Sequence, residues 1–274
     1  MLNEQLSLLF YWFAVGAYIC SFIFYAAKIK LPSRVYLRWA TIFLVSGLVF
    51  EITTIIFRYM AAGGFSRVSF FEIFLFISAF VVLEALIVEL WSKVHILGFY
   101  ASLLAVVLLL IGWARYAIPK PLVENLKTPW IVIHAGLVFI AYAAFIVAAG
   151  AAVFYLLQER QLKLKKSGAL QKFLPSLEVL DETVYRSIVS GFIVFTVALV
   201  LGVGGATKLW KGIDVSITLS SFITWFVYLF YLLSRLKLGW VGKKASYLAV
   251  AGLAPIVFIR LIVVPFLTKF HGYI

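Results

Sequence analysis

The stretch Trp130–Leu157, WIVIHAGLVFIAYAAFIVAAGAAVFYLL, decides the fold. It is 28 residues long and contains no Asp, Glu, Lys or Arg. A helix rises about 1.5 Å per residue, so about 20 apolar residues carry it across a hydrocarbon core about 30 Å thick. Lipid offers no hydrogen bonds, so a spanning segment must be a helix or part of a closed barrel. The period-2 alternation of a barrel strand is absent.

The same signature recurs on both sides of this stretch. Apolar residues make up 65% of the 274-residue chain and charged ones 13%, against about half and about a quarter in soluble domains. Eight spans are expected: Leu6–Ala27, Tyr36–Ile56, Ser69–Leu90, Ile96–Trp113, Trp130–Leu157, Ile188–Ala206, Ser216–Ser234 and Ala245–Leu267. The fold class is therefore all-α, a polytopic membrane helical bundle of about eight transmembrane helices. It is read as one domain over residues 1–274. The first apolar run has no charged leader and no small-residue cleavage site, so it is read as a retained span. The lone Cys20 has no partner for a disulfide or a CxxC pair, which excludes thiol exchange within the chain.

A net charge of +13 does not indicate nucleic acid here, because the basic residues sit in short loops between spans. One set of loops holds 15 Lys and Arg and the other 8. The richer set is expected on the cytoplasmic side, which places both termini outside a plasma or inner membrane. The longest polar segment, residues 158–187, is then a cytoplasmic connector. Its Leu177, Leu180 and Val184 share a helical face after Pro175, so an amphipathic helix on the membrane surface is expected there.

Chemistry-bearing residues are few. Of three histidines, His134 lies about one turn inside the external end of span five, near the interfacial Trp130. His271 follows span eight on the same face, and His95 lies at the cytoplasmic end of span four. Neutral imidazole ligates haem iron, and a pair from opposite sides gives a six-coordinate site. His134 and His271 are the only pair sharing a face, although either one alone also reads as a plain interfacial residue. Between them lies the external stretch ATKLWKGIDVSITLSSFITW, residues 206–225, with Trp210, Asp214 and Trp225. Its indoles could stack on a porphyrin, with Lys208 and Lys211 on the propionates. An ordinary interfacial belt of Trp and Lys reads equally from composition. Glu51, Glu72, Glu84 and Arg260 are the intramembrane ionisable residues. Arg260 is expected to pair with one of the glutamates, and Glu72 is placed near the external surface. No phosphate loop, zinc spacing, Ser/His/Asp set or GxGxxG is present.

From Trp130 to the end, the segments IVIHAGLVFIAYAAFIVAAGAAVFYLLQERQLKLKK, LPSLEVLDETVYRSIVSGFIVFTVALVLGVGGA, FITWFVYLFYLLSRLKLGWVGKKASYLAVAGL and FHGYI resemble the cytochrome c assembly family. That family contains the CcsA/ResC haem-handling proteins and HemX-like proteins. In the N-terminal half only FFEIFLF, with Glu72, is similar. The resemblance implies an external, transient haem b site with His134 and His271 as axial ligands flanking a tryptophan-rich loop. Trp210, Asp214 and Trp225 stand at loop positions. The loop is about two residues shorter than the family pattern and lacks its central tryptophans and PKE run. Glu51 stands where CcsA-type members carry a histidine in span two.

The resemblance further implies presentation of haem to an apocytochrome c, a ResB/CcsB-like membrane partner, and membership of a cytochrome c haem lyase. A HemX-like regulator of a haem-biosynthetic enzyme is the alternative. A solute permease is a third reading, although no broken helix pair or inverted repeat points to a midplane site.

Overall fold

The computed structural model describes residues 2–31, 33–64, 69–121, 129–165, 168, 173–209 and 215–257. Its regular elements are eight α-helices: α1 Leu2–Lys30, α2 Arg34–Ala62, α3 Phe70–Ser92, α4 Ile96–Trp113, α5 Pro129–Lys163, α6 Leu177–Leu209, α7 Val215–Leu238 and α8 Lys243–Val257. Among the described residues, seven helices are long and apolar enough to cross a membrane. The eighth expected span is described only as far as Val257. The protein is thus an all-helical polytopic membrane bundle.

Local chemistry sets several helix ends. Ser33 caps α2, its hydroxyl accepting the Val35 N–H at 3.3 Å. At the other end Gly63 takes the left-handed conformation, φ 68°, and the Gly64 N–H closes on the Tyr59 carbonyl at 3.0 Å. Glycine is favoured at that position because it has no Cβ to clash there. At the start of α3 the Ser69 N–H donates to Glu72 Oε2 at 3.2 Å. This is one half of a capping box.

The helices fall into two compact units, α1–α4 and α5–α8. In the first, α1 packs on α2 and α4, and α3 packs on the same two helices. In the second, α5 packs on α6 and α8, and α7 packs on the same two. Each is a four-helix ring. In lipid, apolar surface gains nothing by leaving its neighbours, so such rings depend on close packing and internal hydrogen bonds.

The first ring is seamed by α1. Tyr11, Tyr18 and Tyr25 recur every seven residues and all are fully buried. Their hydroxyls donate to the Leu109 carbonyl on α4, to Glu51 on α2 and to Glu89 on α3. Two of these rings occupy notches that glycines leave. A Cβ on Gly47 would strike the Tyr18 ring, and one on Gly98 would strike the Tyr25 hydroxyl and the Glu89 carboxylate. The second ring is closed by small residues on α5, where Ala141, Ala144, Ala148 and Ala152 are all buried. At its centre Phe145 stacks on Tyr228 at 3.9 Å and meets Phe195 edge-on at 5.6 Å.

Two expectations change. The second span does not stop at Ile56: α2 runs on to Ala62 and carries Arg58 inside, 2% exposed, rather than in a loop. Glu72, in the first turn of α3, is likewise buried within the protein, and its cation is Arg58; Arg260 lies outside the described residues. The Leu177–Val184 segment is the first two turns of the continuous helix α6, with Leu180 and Val184 buried. Its apolar face packs against protein.

Candidate functional site

His134 sits on α5, one turn after Trp130. Its Nδ1 lies 2.8 Å from the Ala198 carbonyl oxygen on α6. A carbonyl can only accept, so Nδ1 carries the hydrogen, and in the neutral ring Nε2 keeps the lone pair. The ring rests against α6 at Gly202. A Cβ there would lie 2.8 Å from His134 Cε1 and 3.5 Å from Nε2, so only glycine leaves room for the imidazole. One turn earlier Trp130, 40% exposed, donates its indole N–H to the Leu201 carbonyl at 2.9 Å. The LGVG run of residues 201–204 thus receives two α5 side chains on bare backbone.

Trp225, on α7, reaches the same helix lower down. Its Nε1–H donates to Thr196 Oγ1 at 3.0 Å, and its ring stacks on Phe192 at 5.4 Å. Thr196 precedes Gly202 by six residues, about 9 Å along the axis. The structure therefore brings His134 and Trp225 to one helix but at different levels, with the indole N–H engaged by protein. Trp210, Asp214 and His271 lie outside the described residues. His95 immediately precedes α4, makes no side-chain capping bond to it, and pairs instead with Glu89, Nδ1 to Oε1 2.9 Å. Among the described residues no three His, Cys, Asp or Glu side chains come together to hold a metal.

At the far end of α7, Asp181 of α6 takes both Arg235 terminal nitrogens, at 3.1 and 2.6 Å, and the Gly242 N–H at 2.9 Å. This clasp closes the α7–α8 turn, where Gly242 has φ 66°. Sequence reading placed Asp181 only as part of a connector; the acid's partners are 54 and 61 residues away. Reading also missed Gly202, whose signal was the glycine cluster LGVGGA inside an apolar helix.

The first unit contains three buried carboxylates. Glu72 is held by Arg58, whose Nε donates at 2.9 Å and whose Nη2 also contacts Glu72. Nη2 reaches the Ala117 carbonyl at 2.8 Å as well, and the guanidinium lies 4.4 Å from the Phe71 ring. Tyr116, just past α4, donates to Glu4 at 3.1 Å. Burial raises its hydroxyl pKa, with the Arg58 charge acting against that shift. Among the described residues Glu51 and Glu89 have no Arg or Lys partner; their neighbours there are Tyr, Ser, Thr and His.

Comparison with known proteins locates these features. Residues 67–271 match the family model described as cytochrome C assembly protein. The chain is 29% identical over 238 residues to the cytochrome c biogenesis protein CcsA of Prochlorococcus marinus, covering 74% of this chain and 75% of that one. It is 27% identical over 241 residues to the CcsA of Guillardia theta, 79% of each. To that of Parasynechococcus marenigrum it is 30% identical over 232 residues, 74% and 75%.

Proposed function

We propose that this chain, which belongs to the cytochrome c assembly protein family, holds haem on the external face of the membrane and presents it for attachment to apocytochrome c. The observation that carries the reading is the orientation of His134. A metal-ligating histidine typically donates its second ring N–H to a carbonyl or carboxylate, which fixes tautomer and ring plane. The Ala198 carbonyl takes that hydrogen at 2.8 Å, and the lone pair of Nε2 is the donor an iron centre takes. His134 is one proposed axial ligand and His271 the other, with Trp210 and Asp214 lining the haem between them. Trp225 is proposed to brace the base of that loop, because its N–H and one ring face are engaged on α6.

The chain's own part is to bind, orient and shield. The bond-forming groups belong to the haem vinyls and the apocytochrome thiols. The external placement rests on the basic residues. With Arg58 removed from the loops, the 15-to-8 imbalance becomes 15 to 7, which favours both termini outside. A ResB/CcsB-like membrane protein is the proposed partner. The curated relatives above carry a biogenesis name, which favours assembly over the regulatory and permease readings.

The test is optical. Purified protein with added haem is expected to show a low-spin, bis-histidine spectrum that is lost when His134→Ala and His271→Ala are combined. An unchanged spectrum in the double variant refutes the site.

A further inference from the structure

We propose that Glu51 is a proton-binding site inside the α1–α4 bundle, loaded from the His95 end through Glu89. This goes beyond the haem reading and does not depend on it.

The three buried carboxylates of the bundle differ in what faces them. Glu72 faces Arg58, a donor that cannot accept a hydrogen bond and does not release its proton in proteins. Its other oxygen contacts the Ser69 hydroxyl and N–H, but neutralising Glu72 would leave the buried Arg58 charge without its counter-ion, so that pair stays ionised. Glu51, fully buried, faces the Tyr18 hydroxyl at 2.6 Å and the Ser78 hydroxyl at 2.5 Å. Hydroxyls donate and accept. When Glu51 is ionised both donate to it; when it is protonated, its new O–H turns to one hydroxyl oxygen while the other still donates. Either state keeps two hydrogen bonds at the carboxyl with no heavy atom moved, the hydroxyl that accepts giving up its own bond to Glu51.

Glu89 is built in the same way. Tyr25 donates at 2.8 Å, Thr41 lies 3.3 Å away, and His95 Nδ1 lies 2.9 Å away. The His95 side chain is 35% exposed whereas that of Glu89 is 6% exposed, so the imidazole is the bundle's contact with the outside at this end. An imidazole can take up a proton at one ring nitrogen and release one from the other. Between the two carboxyls the α1 seam carries Tyr25, Ser21 and Tyr18, all fully buried; the Ser21 hydroxyl donates to the Ala40 carbonyl at 2.9 Å and must release that bond to pass a proton on. Successive spacings of four and three residues keep them on one face of the helix.

Other titratable groups do not interfere. α4 carries no acidic or basic side chain from Ile96 to Trp113, only Tyr100. On α3 the remaining acid is Glu84, half-buried. On α1 the tyrosines seven residues either side of Tyr18 are Tyr11, bound to the Leu109 carbonyl, and Tyr25, bound to Glu89. On α2 itself Arg58 lies seven residues on, about 10 Å along the axis, and is paired with Glu72. The step is a proton transfer alone. One O–H bond forms at Glu51, one N–H or O–H bond breaks upstream, water at the His95 end restores the proton, and no electron moves.

The experiment uses the full chain in lipid vesicles and infrared difference spectroscopy of the carboxylic acid C=O stretch. Expected is a band that grows and fades as pH is cycled through the neutral range, shifts in D₂O and is absent in Glu51→Gln. Tyr18→Phe, which keeps the ring in its Gly47 notch, should move the band to higher frequency by removing one hydrogen bond. This variant decides the matter if Glu51→Gln does not fold. Glu89→Gln should leave the band in place and slow its hydrogen–deuterium exchange by about a hundredfold, the low end for losing a positioned proton-transfer group. A band that persists in Glu51→Gln, does not respond to pH, or stays put in Tyr18→Phe overturns the site. Unchanged exchange in Glu89→Gln overturns the route.

Discussion

Gly202→Ala tests whether His134 is positioned by the α6 backbone. The added Cβ would lie 2.8 Å from His134 Cε1, where carbon atoms ordinarily approach to about 3.5–4.0 Å. The ring must retreat by about 0.7–1.2 Å. A retreat of that size stretches the 2.8 Å contact with the Ala198 carbonyl to or beyond the roughly 3.2 Å limit of a good N–H···O bond. Loss of such an outer partner costs about 10–100-fold in metal affinity. The expected result is therefore a rise of that size in the haem dissociation constant, read by absorbance titration of the purified protein, with helical content unchanged. Gly136→Ala is the control: on the same α5 helix, a Cβ there meets nothing within 4 Å, so its titration should overlay the wild type. If Gly202→Ala binds haem as the wild type does, the backbone notch does not position a ligand and the reading of His134 fails.

Three further outcomes follow from the contacts. Glu72→Gln strands the Arg58 guanidinium, 2% exposed, and should cost about 3–5 kcal/mol, as broken buried pairs do; a detergent thermal melt matching wild type would refute this. Asp181→Asn weakens the clasp on Arg235 and the Gly242 N–H. It should cost about 1.5–3 kcal/mol, the value of a charge-assisted hydrogen bond, and speed trypsin cleavage between Arg235 and Lys244; an unaltered digestion rate would refute it. Trp225→Phe removes the bond to Thr196 and should lower stability by about 1 kcal/mol while the low-spin haem spectrum survives. Loss of that spectrum would show that the indole contacts haem directly.

The spans were legible because hydropathy over about 20 residues is a property of the segment itself. The errors came where burial depends on a distant partner. Arg58 looks like a loop residue because an unpaired arginine is costly in lipid; its carboxylate, Glu72, is supplied 14 residues later by another helix. Leu180 and Val184 show the converse, since an apolar stripe beside charged residues reads as lipid-facing although both side chains are buried by protein. His134 was legible because imidazoles are rare here and it stands in family order. Its support was not, because the groups that hold it are a backbone carbonyl and the absence of a side chain, neither of which a sequence advertises as chemistry.

That support is a device the protein uses repeatedly, which sharpens what is particular about His134. In a bundle without a hydrophobic force between helices, a ring is fixed by a notch and a hydrogen bond. Tyr18 sits in the notch at Gly47 and donates to Glu51; Tyr25 sits at Gly98 and donates to Glu89; Tyr228 sits at Gly252 and donates to the Ala249 carbonyl at 3.3 Å. Seating alone therefore marks packing. What separates His134 is the chemistry left after seating. A tyrosine that has donated its hydrogen retains only a weakly basic phenol oxygen, whereas an imidazole that has donated from Nδ1 retains at Nε2 a strong ligand for a transition metal. Substituting His134→Tyr would keep a ring in the Gly202 notch and remove that lone pair. Helix packing should then survive while the bis-histidine spectrum does not. A variant that kept both would place the iron ligand elsewhere in the chain.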